Sequence, residues 1–358
     1  MKKKIVFVLN NLQYADGVAK VLVELCNYLD EDLFDITIIP VYRCDDQFVK
    51  LLKPSIHVKK VLGFYFRGLD KIVNLFPIQS LYKMIIKDNY DIEVAFQYGI
   101  ATRMIANSIN QKAIHYAWMH GYDEGLTLRD EYPKFDKVFC VSKHNANRLN
   151  EEIQGKANVD YCYNIIDERK ILEQSKETIT EDKLKRPIFV AVGRQTPEKG
   201  FVRLVEIANR LKKDGYQFTV WLIGDGLEHS LLEEAVKKYD LSDTVKLLGS
   251  QPNPHQYTVH GDIFVCSSFS EGYSTACVEA ILLGVPVIST AVSGAKEIIE
   301  DSQAGLVCGL DDESLYQSLK KVLDEPNLIN EWKATLDTTK KVFGSAVRGE
   351  RVNSIFKG

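Results

Sequence analysis

The sequence predicts an α/β protein of two Rossmann-like domains, whose parallel sheets face each other across an interdomain cleft. The chain has 358 residues, which is too long for one ordinary hydrophobic core and suits two. Short apolar segments alternate with longer amphipathic ones, as in βαβ units, and this series occurs twice. The charged stretch 168–187 separates the two series and is the best linker candidate. We therefore expect an N-terminal domain over residues 1–170 and a C-terminal domain over 171–341.

The first series begins with the apolar run 5–9, which is shorter than the hydrophobic region of a signal peptide and is therefore interpreted as a strand. An amphipathic helix follows over 18–29. The predicted strands of this series are 5–9, 34–41, 92–96, 113–118 and 137–141. In the second series the predicted strands are 188–192, 218–223, 245–248, 263–266 and 285–289, and the predicted helices are 203–213, 228–239 and 275–283.

Composition excludes several classes of function. Basic residues number 45 and acidic residues 49, so no overall positive charge attracts nucleic acid, and we expect no nucleic-acid partner. No apolar run approaches the roughly 18 residues that span a bilayer. The seven cysteines are odd in number and scattered, without a CxxC pair, which is typical of reduced thiols in a cytoplasmic protein.

The first chemical motif is the loop GRQTPEKG, residues 193–200, directly after a predicted strand. Its Arg194 and Lys199 would stand at the carboxyl end of the sheet, where α/β proteins bind phosphorylated ligands. We interpret them as a pyrophosphate clamp. The alternative is that both are solvated loop charges.

The second motif is SSFSEGYSTACVEAILLGVPVIS, residues 267–289. Glu279 is flanked by apolar residues in a predicted helix, so its carboxylate needs a polar partner, for which ribose hydroxyls are suitable. Glu271 precedes this helix, near backbone N–H groups that form an anion site. The alternative makes Glu271 a loop charge and Glu279 a surface residue.

With these motifs the whole chain resembles family 4 of the glycosyltransferases, retaining enzymes of the GT-B fold. GVPVIST, Gly294 and the segment Gly305-Leu-Val add to the likeness. The resemblance implies that Arg194 and Lys199 bind the donor diphosphate, Glu271 the donor sugar and Glu279 the ribose. It further implies that residues 248–257 contact the nucleobase and that a helix at about 342–358 packs back on the N-terminal domain. The other donor-binding residues expected in this domain are Gly193, Gly272, Tyr273, Ser274 and Thr275.

In the N-terminal domain the segment YADGVAKVLVELCNYL resembles the glycine-rich loop and first helix of the family, with Gly17 admitting the donor phosphate. The chain departs from the family at Asp16, usually a second glycine, and at Ala19, often acidic. His120, after the predicted strand 113–118, matches a histidine that the family places against the donor sugar. A structural histidine is the alternative.

The resemblance implies a front-face substitution with retention, in which the leaving phosphate accepts the proton of the acceptor. The expected catalytic residues are His120, Arg194, Lys199 and Glu271. Cations and helix N-termini stabilise a diphosphate leaving group without a metal, so we expect no metal cofactor. The triplet Asp30-Glu31-Asp32 is interpreted as a surface turn.

Residues 59–87 carry six basic residues and one acidic residue, interleaved with five aromatics. This pattern suits an anionic lipid surface that presents a lipid-linked acceptor. An ordinary amphipathic helix and loop, packed on the sheet, is the alternative.

We therefore expect a cytoplasmic hexosyltransferase, peripheral on the inner face of the plasma membrane. The resemblance favours a UDP-sugar donor and a glycan or lipid-linked acceptor in the synthesis of capsule, exopolysaccharide or lipopolysaccharide. Two alternatives stay open. One is a nucleotide-sugar epimerase of the same fold, and the other is a nucleotide-sugar-binding partner without activity, which the residues at Asp16 and Ala19 suggest.

Overall fold

The computed structural model describes residues 2–13, 17–66, 68–73, 75–121, 128–179 and 184–357. The contacts divide the chain into two compact units. Unit 1 comprises Met1–Ile165 and Gly349–Gly358, and unit 2 comprises Ile166–Arg348. The boundary between Arg348 and Gly349 falls inside the last helix, so the end of the chain belongs to unit 1.

Unit 1 is built on a seven-stranded sheet in which every pairing is parallel, in the order β3-β2-β1-β4-β5-β6-β7. Its strands are β1 (Lys3–Leu9), β2 (Phe34–Pro40), β3 (His57–Val58), β4 (Ile92–Ala95), β5 (Ile114–Met119), β6 (Lys137–Cys140) and β7 (Val159–Tyr161). Its helices are α1 (Gly17–Tyr28), α2 (Asp46–Val49), α3 (Leu69–Val73), α4 (Ile78–Ile85), α5 (Ile100–Ala106) and α6 (Lys143–Glu152), with a 3₁₀ helix at Arg129–Lys134. In the central strand β1, residues 5–9 are apolar and fully buried, as expected where helices cover both faces of a parallel sheet.

Unit 2 repeats this plan with a six-stranded parallel sheet in the order β10-β9-β8-β11-β12-β13. Its strands are β8 (Ile188–Val192), β9 (Thr219–Ile223), β10 (Val245–Gly249), β11 (Ile263–Cys266), β12 (Val287–Thr290) and β13 (Gly305–Cys308). Its helices are α7 (Glu168–Gln174), α8 (Phe201–Lys213), α9 (His229–Lys238), α10 (His255–Thr258), α11 (Thr275–Leu282), α12 (Ala295–Ser302), α13 (Asp312–Asp324) and α14 (Asn327–Thr339), with 3₁₀ helices at Pro197–Lys199 and Lys340–Phe343. The last helix, α15 (Ser345–Lys357), begins in unit 2 and continues into unit 1 from Gly349. The strand orders confirm the predicted pair of parallel α/β sheets.

The last turns of α15 are anchored in unit 1 by an aromatic cluster. The ring of Phe356 lies 5.7 Å from that of Phe7 and stacks at 6.2 Å on Trp118. Lys3 donates hydrogen bonds to the carbonyls of Phe356 and Lys357. The chain end is therefore part of the unit 1 core.

The charged stretch that was predicted as a linker contains a helix. Asp167 caps α7 by accepting from the backbone N–H groups of Arg169 and Lys170, and Ile171 is buried. One cap and one buried side chain are enough to place this short helix, but they give too weak an apolar pattern to be recognised in the sequence.

Candidate functional site

The loops that follow β8 and β11 meet at one edge of the unit 2 sheet. These two strands pair directly, with Ile263 opposite Phe189 and Phe264 opposite Val190. Because the strands are parallel, the loop 193–200 and the loop 267–274 leave the sheet side by side. The two predicted motifs are therefore neighbours in space.

Lys199 and Glu271 form the centre of this edge. The Lys199 ammonium lies 2.7 Å from Glu271 Oε1, and the side chains are 22% and 13% exposed. Ser268 donates from its hydroxyl to the same oxygen at 2.6 Å. Glu271 Oε2 accepts no hydrogen bond from the residues that the structure describes, so this oxygen is available for a hydroxyl of a ligand. The result is a cation beside a carboxylate, in a half-enclosed position at the carboxyl end of the sheet.

Arg194 is not part of that centre. Its side chain is 58% exposed, and its guanidinium pairs at 3.4 Å with Glu198, four residues further along the loop. The two cations of the predicted clamp thus differ, since Lys199 already contacts Glu271 whereas Arg194 projects into solvent.

Close backbone packing shapes the first loop. Gly193 donates from its N–H to the Ile223 carbonyl at 3.0 Å, and the backbone of Gly224 approaches so closely that a Cβ there would overlap the Gly193 carbonyl. Gln195 is fully buried and bridges the Gly224 carbonyl at 2.9 Å and the His229 ring at 2.7 Å. The loop 224–229 therefore supports the basic loop. This loop was not predicted as part of the site, although its Gly-Asp-Gly is a turn signal.

Glu279 is buried in α11, as its apolar neighbours suggested. It lies beside His255, whose Nδ1 is 3.9 Å from Glu279 Oε2, and both side chains are 8% exposed. His255 begins α10, in the segment that resembles the nucleobase loop. His255 was not predicted as a site residue, because its contact with Glu279 joins residues far apart in the chain.

The loop before α11 is fixed from two sides. Ser274 is the N-cap of α11 and directly precedes Thr275, the first residue of the helix; its hydroxyl accepts a hydrogen bond from the Cys277 N–H at 3.3 Å. Gly272 lies two residues before this cap. The Tyr273 side chain is buried, and its hydroxyl accepts from Arg348 at 2.6 Å. Burial raises the pKa of Tyr273 to about 12, an effect that Arg348 opposes. Tyr273 is thus engaged within the protein by its side chain.

His120 lies at the carboxyl end of β5 in unit 1. Its ring contacts Phe96 edge-to-face at 4.6 Å, and its Nε2 is buried without a hydrogen-bond partner among the residues described. Burial lowers the pKa of His120 to about 4, and the Phe96 backbone acts in the opposite direction. The imidazole is therefore neutral at physiological pH and offers one unused ring nitrogen.

Gly17 opens α1 at the same edge of the unit 1 sheet, after β1. A Cβ added there would meet no atom within 4 Å, so packing does not require a glycine. Ala19 is fully buried. The departure from the family at Asp16 lies outside the described residues, as do positions 122–127 of the loop after His120.

The segment 59–87 exposes apolar side chains as well as basic ones. Lys59 pairs with Asp88, and Lys60 pairs with Asp46 at 2.5 Å, so two of its six cations are already neutralised. Of the twenty exposed large apolar side chains in the described chain, seven lie within 23 residues here and form what we call the apolar patch. The apolar patch consists of Leu62, Phe64, Phe66, Ile72, Leu75, Phe76 and Met84. Tyr82 of the same segment is buried.

Neither a metal cluster nor a membrane-spanning helix is found within the described residues. Asp30, Glu31 and Asp32 are exposed, and Asp32 donates from its N–H to the Asp30 side chain at 2.9 Å. This is the surface turn that was predicted. All seven cysteines are free, and six of them are buried.

Comparison with known proteins adds family information to this geometry. Residues 173–336 match the family model of the group 1 glycosyl transferases. The chain is 28% identical over 310 residues to N-acetylgalactosamine-N,N'-diacetylbacillosaminyl-diphospho-undecaprenol 4-alpha-N-acetylgalactosaminyltransferase of Campylobacter jejuni, which covers 84% of this chain and 83% of that protein. It is 27% identical over 244 residues to the lipopolysaccharide core biosynthesis glycosyltransferase LpsD of Rhizobium meliloti, covering 66% of each. Among solved structures, Anabaena Alr3699/HepE in complex with UDP and glucose superposes with a TM-score of 0.75 at 17% identity, covering 99% of both chains. That likeness confirms the two-domain α/β fold of the GT-B type.

Proposed function

We infer that this chain is a glycosyltransferase of bacterial surface-glycan synthesis, because residues 173–336 match the group 1 glycosyl transferases and its relatives are glycosyltransferases. From that premise we propose its donor, its acceptor and its place of action. The donor is a UDP-hexose, and the acceptor is a lipid-linked glycan at the inner face of the plasma membrane. Transfer proceeds with retention of the anomeric configuration and without a metal. The observation that carries the proposal is the Lys199–Glu271 pair at the carboxyl edge of the unit 2 sheet.

The pair fits the two halves of a sugar diphosphate. When the bond to the anomeric carbon breaks, negative charge develops on the departing diphosphate, and a preorganised cation stabilises that charge. Lys199 supplies the cation, and Arg194, exposed in solvent, is able to swing toward the same phosphates. Glu271 Oε2 is available to accept from a sugar hydroxyl, while Oε1 stays with Lys199 and Ser268.

The remaining donor contacts follow from burial. Glu279 is a buried carboxylate beside His255, and the hydroxyls of a ribose diol are suitable polar partners for such a group. The neutral ring of His120 suits a hydroxyl rather than a phosphate, because its pKa of about 4 leaves it uncharged. The preference for UDP is supported by HepE, whose structure holds UDP and glucose.

The acceptor side is supported by the apolar patch. Exposed aromatic and aliphatic side chains insert into the interface of a bilayer, and Lys71, Lys83 and Lys87, which have no ion-pair partner among the described residues, would attract anionic headgroups at roughly 1 kcal/mol each. A membrane-bound enzyme meets a diphospho-undecaprenol-linked acceptor, the kind named for the Campylobacter relative.

The function is tested with purified protein, a panel of nucleotide sugars and a lipid-linked glycan extract. We expect UDP release that depends on acceptor, survives EDTA and gives a product with the anomeric configuration of the donor. Conversion of the sugar without UDP release would identify an epimerase. Binding without either reaction would identify a non-catalytic partner.

The membrane proposal is tested separately by flotation with vesicles of phosphatidylglycerol. The variant Leu75→Ser/Phe76→Ser should lose most of the bound fraction, because each removed side chain contributes on the order of 1 to 2 kcal/mol of partitioning. Leu172→Ser, an exposed leucine of α7, is the matched control and should float like the wild type. Equal flotation of all three proteins would contradict the membrane role of the apolar patch.

A further inference from the structure

A buried arginine lies directly behind the candidate site. Arg203 is the third residue of α8, and its side chain is only 4% exposed. Burial of a charged group costs free energy unless hydrogen bonds replace its water. Burial accordingly lowers the pKa of the Arg203 guanidinium, an effect that Asp312 opposes. The hydrogen bonds of Arg203 must therefore offset the cost of burying its charge.

The guanidinium donates its hydrogen bonds to backbone carbonyls of two loops. Nε donates to the Ser267 carbonyl at 2.8 Å, and Nη2 donates to that carbonyl and to the Ser268 carbonyl, the latter at 3.0 Å. Nη1 donates to the Leu310 carbonyl at 2.7 Å. The central carbon lies 3.8 Å from the ring centroid of Phe269. Arg203 therefore holds three consecutive residues of the loop after β11.

The same loop is tied to the residues just before Arg203. The Ser267 hydroxyl donates to the Lys199 carbonyl at 2.9 Å, and the Phe269 N–H donates to the Glu198 carbonyl at 2.7 Å. A Cβ on Gly200 would overlap the Ser267 carbonyl, so the two backbones are at their closest approach. The loop that bears Ser268 is thus fixed relative to the residue that bears the ammonium group.

We propose that Arg203 is the positioning residue of the donor site: by binding the Ser267 and Ser268 carbonyls, it keeps Ser268 and Glu271 in register with Lys199. The role depends on a planar group with three separate nitrogens, since the single nitrogen of an ammonium cannot reach the Ser267, Ser268 and Leu310 carbonyls from the positions of Nε, Nη1 and Nη2. Arg203 contacts neither Lys199 nor Glu271 directly and acts through the loop. This inference rests on the proposed function for its kinetic consequence, but not for its structural one.

The chain offers a matched control on the same helix. Arg210 also places its guanidinium over an aromatic ring, 3.9 Å from the centroid of Tyr316, and it pairs with Glu313 at 2.7 Å. Its side chain is 44% exposed, and its partners Glu313 and Tyr316 both belong to α13 rather than to the loop after β11. Arg210→Ala therefore removes a stacked, ion-paired arginine without releasing that loop.

The test compares Arg203→Ala, Arg203→Lys and Arg210→Ala in the full chain. Hydrogen exchange of the peptide 264–272, measured without ligand, should accelerate at least tenfold in both Arg203 variants and stay at the wild-type rate in Arg210→Ala. Per folded molecule, kcat/KM for the donor should fall roughly a hundredfold in Arg203→Ala, because loss of loop register misplaces the reacting groups. Millimolar guanidinium chloride should restore part of that activity to Arg203→Ala but not to Arg203→Lys.

Two results would overturn the inference. One is wild-type exchange of 264–272 together with wild-type kcat/KM in folded Arg203→Lys or Arg203→Ala. The other is a loss that follows only the folded fraction and does not respond to guanidinium, which would make Arg203 a general stabilising residue. Inactivity of the wild type with every donor would instead count against the proposed function, and the exchange rates would still decide the role of Arg203.

Discussion

The contact between Lys199 and Glu271 predicts that the two residues act as one unit. The perturbation is a double-mutant cycle of Lys199→Met, Glu271→Gln and the double variant. Each single variant removes one proposed contact to the donor, which would be worth about 2.7 kcal/mol or roughly a hundredfold in kcat/KM. If the contacts were independent, the double variant would lose about 5.4 kcal/mol, or roughly ten-thousandfold.

The structure indicates that they are not independent. The ammonium and the carboxylate lie 2.7 Å apart, and both side chains are mostly buried. A hydrogen bond between charged groups of this kind contributes roughly 1.5 to 3 kcal/mol, so each single variant also misplaces its former partner. The second substitution then has less to remove. We expect the double variant to lose only about 2.4 to 3.9 kcal/mol, between roughly sixtyfold and seven-hundredfold.

The assay is the initial rate of UDP release at several donor concentrations, with the folded fraction of each variant measured by circular dichroism. The cycle Arg210→Ala with Glu313→Gln is the control, because that pair is equally close but exposed, and its coupling in kcat/KM should be zero. Full additivity of Lys199→Met and Glu271→Gln would refute the idea of a coupled unit. Near-wild-type activity in both single variants would refute the site.

Three further predictions concern residues outside that pair. The pKa of His120 is about 6.5 in the unfolded chain and about 4 in the folded chain, so the unfolded state binds more protons between these pH values. The free energy of unfolding therefore falls as the pH drops from 6.5 to 4. The melting temperature of His120→Asn should fall less across that range than the melting temperature of the wild type. Tyr82→Phe should lower the free energy of unfolding of unit 1, measured in urea, by roughly 1 to 3 kcal/mol, because the Tyr82 hydroxyl donates at 2.6 Å to the fully buried carboxylate of Glu93. Tyr42→Phe should be nearly neutral, since the Tyr42 hydroxyl has no hydrogen-bond partner among the described residues. Equal losses in the two variants would contradict this reasoning. Gly294→Ala should raise the KM for the donor and lower the melting temperature, because residue 294 has a φ of +76° and its Cβ would lie 2.6 Å from the ring of Tyr273. An unchanged KM would contradict this prediction.

Local chemistry made much of the fold predictable. Apolar runs of four to seven residues placed most of the strands, because strands buried on both faces of a parallel sheet are apolar throughout. Short elements such as α2, with four residues, and β3, with two, were missed because so few residues give no period. The helix α7 was missed for the same reason.

The candidate site was predictable only in part. Lys199 and Glu271 were predicted as site residues in two separate motifs, and the structure brings the two side chains within hydrogen-bonding distance. The sequence did not distinguish Arg194, which is exposed, from Lys199, because a loop charge carries no sign of its side-chain direction. The partners His255 and Arg203 were also missed. Their contacts join positions far apart in the chain, and burial of a charge is a property of packing rather than of pattern.

The central claim is that this chain moves a sugar from a UDP-sugar to an acceptor at the Lys199–Glu271 centre. The most direct measurement follows UDP release and the mass of the acceptor lipid in the same reaction, for the wild type and for Glu271→Gln. We predict one hexose added to the acceptor for each UDP released by the wild type, and a loss of both signals of at least roughly a hundredfold in Glu271→Gln. UDP-sugar turnover with no gain in acceptor mass, or equal turnover by the two proteins, would contradict the account.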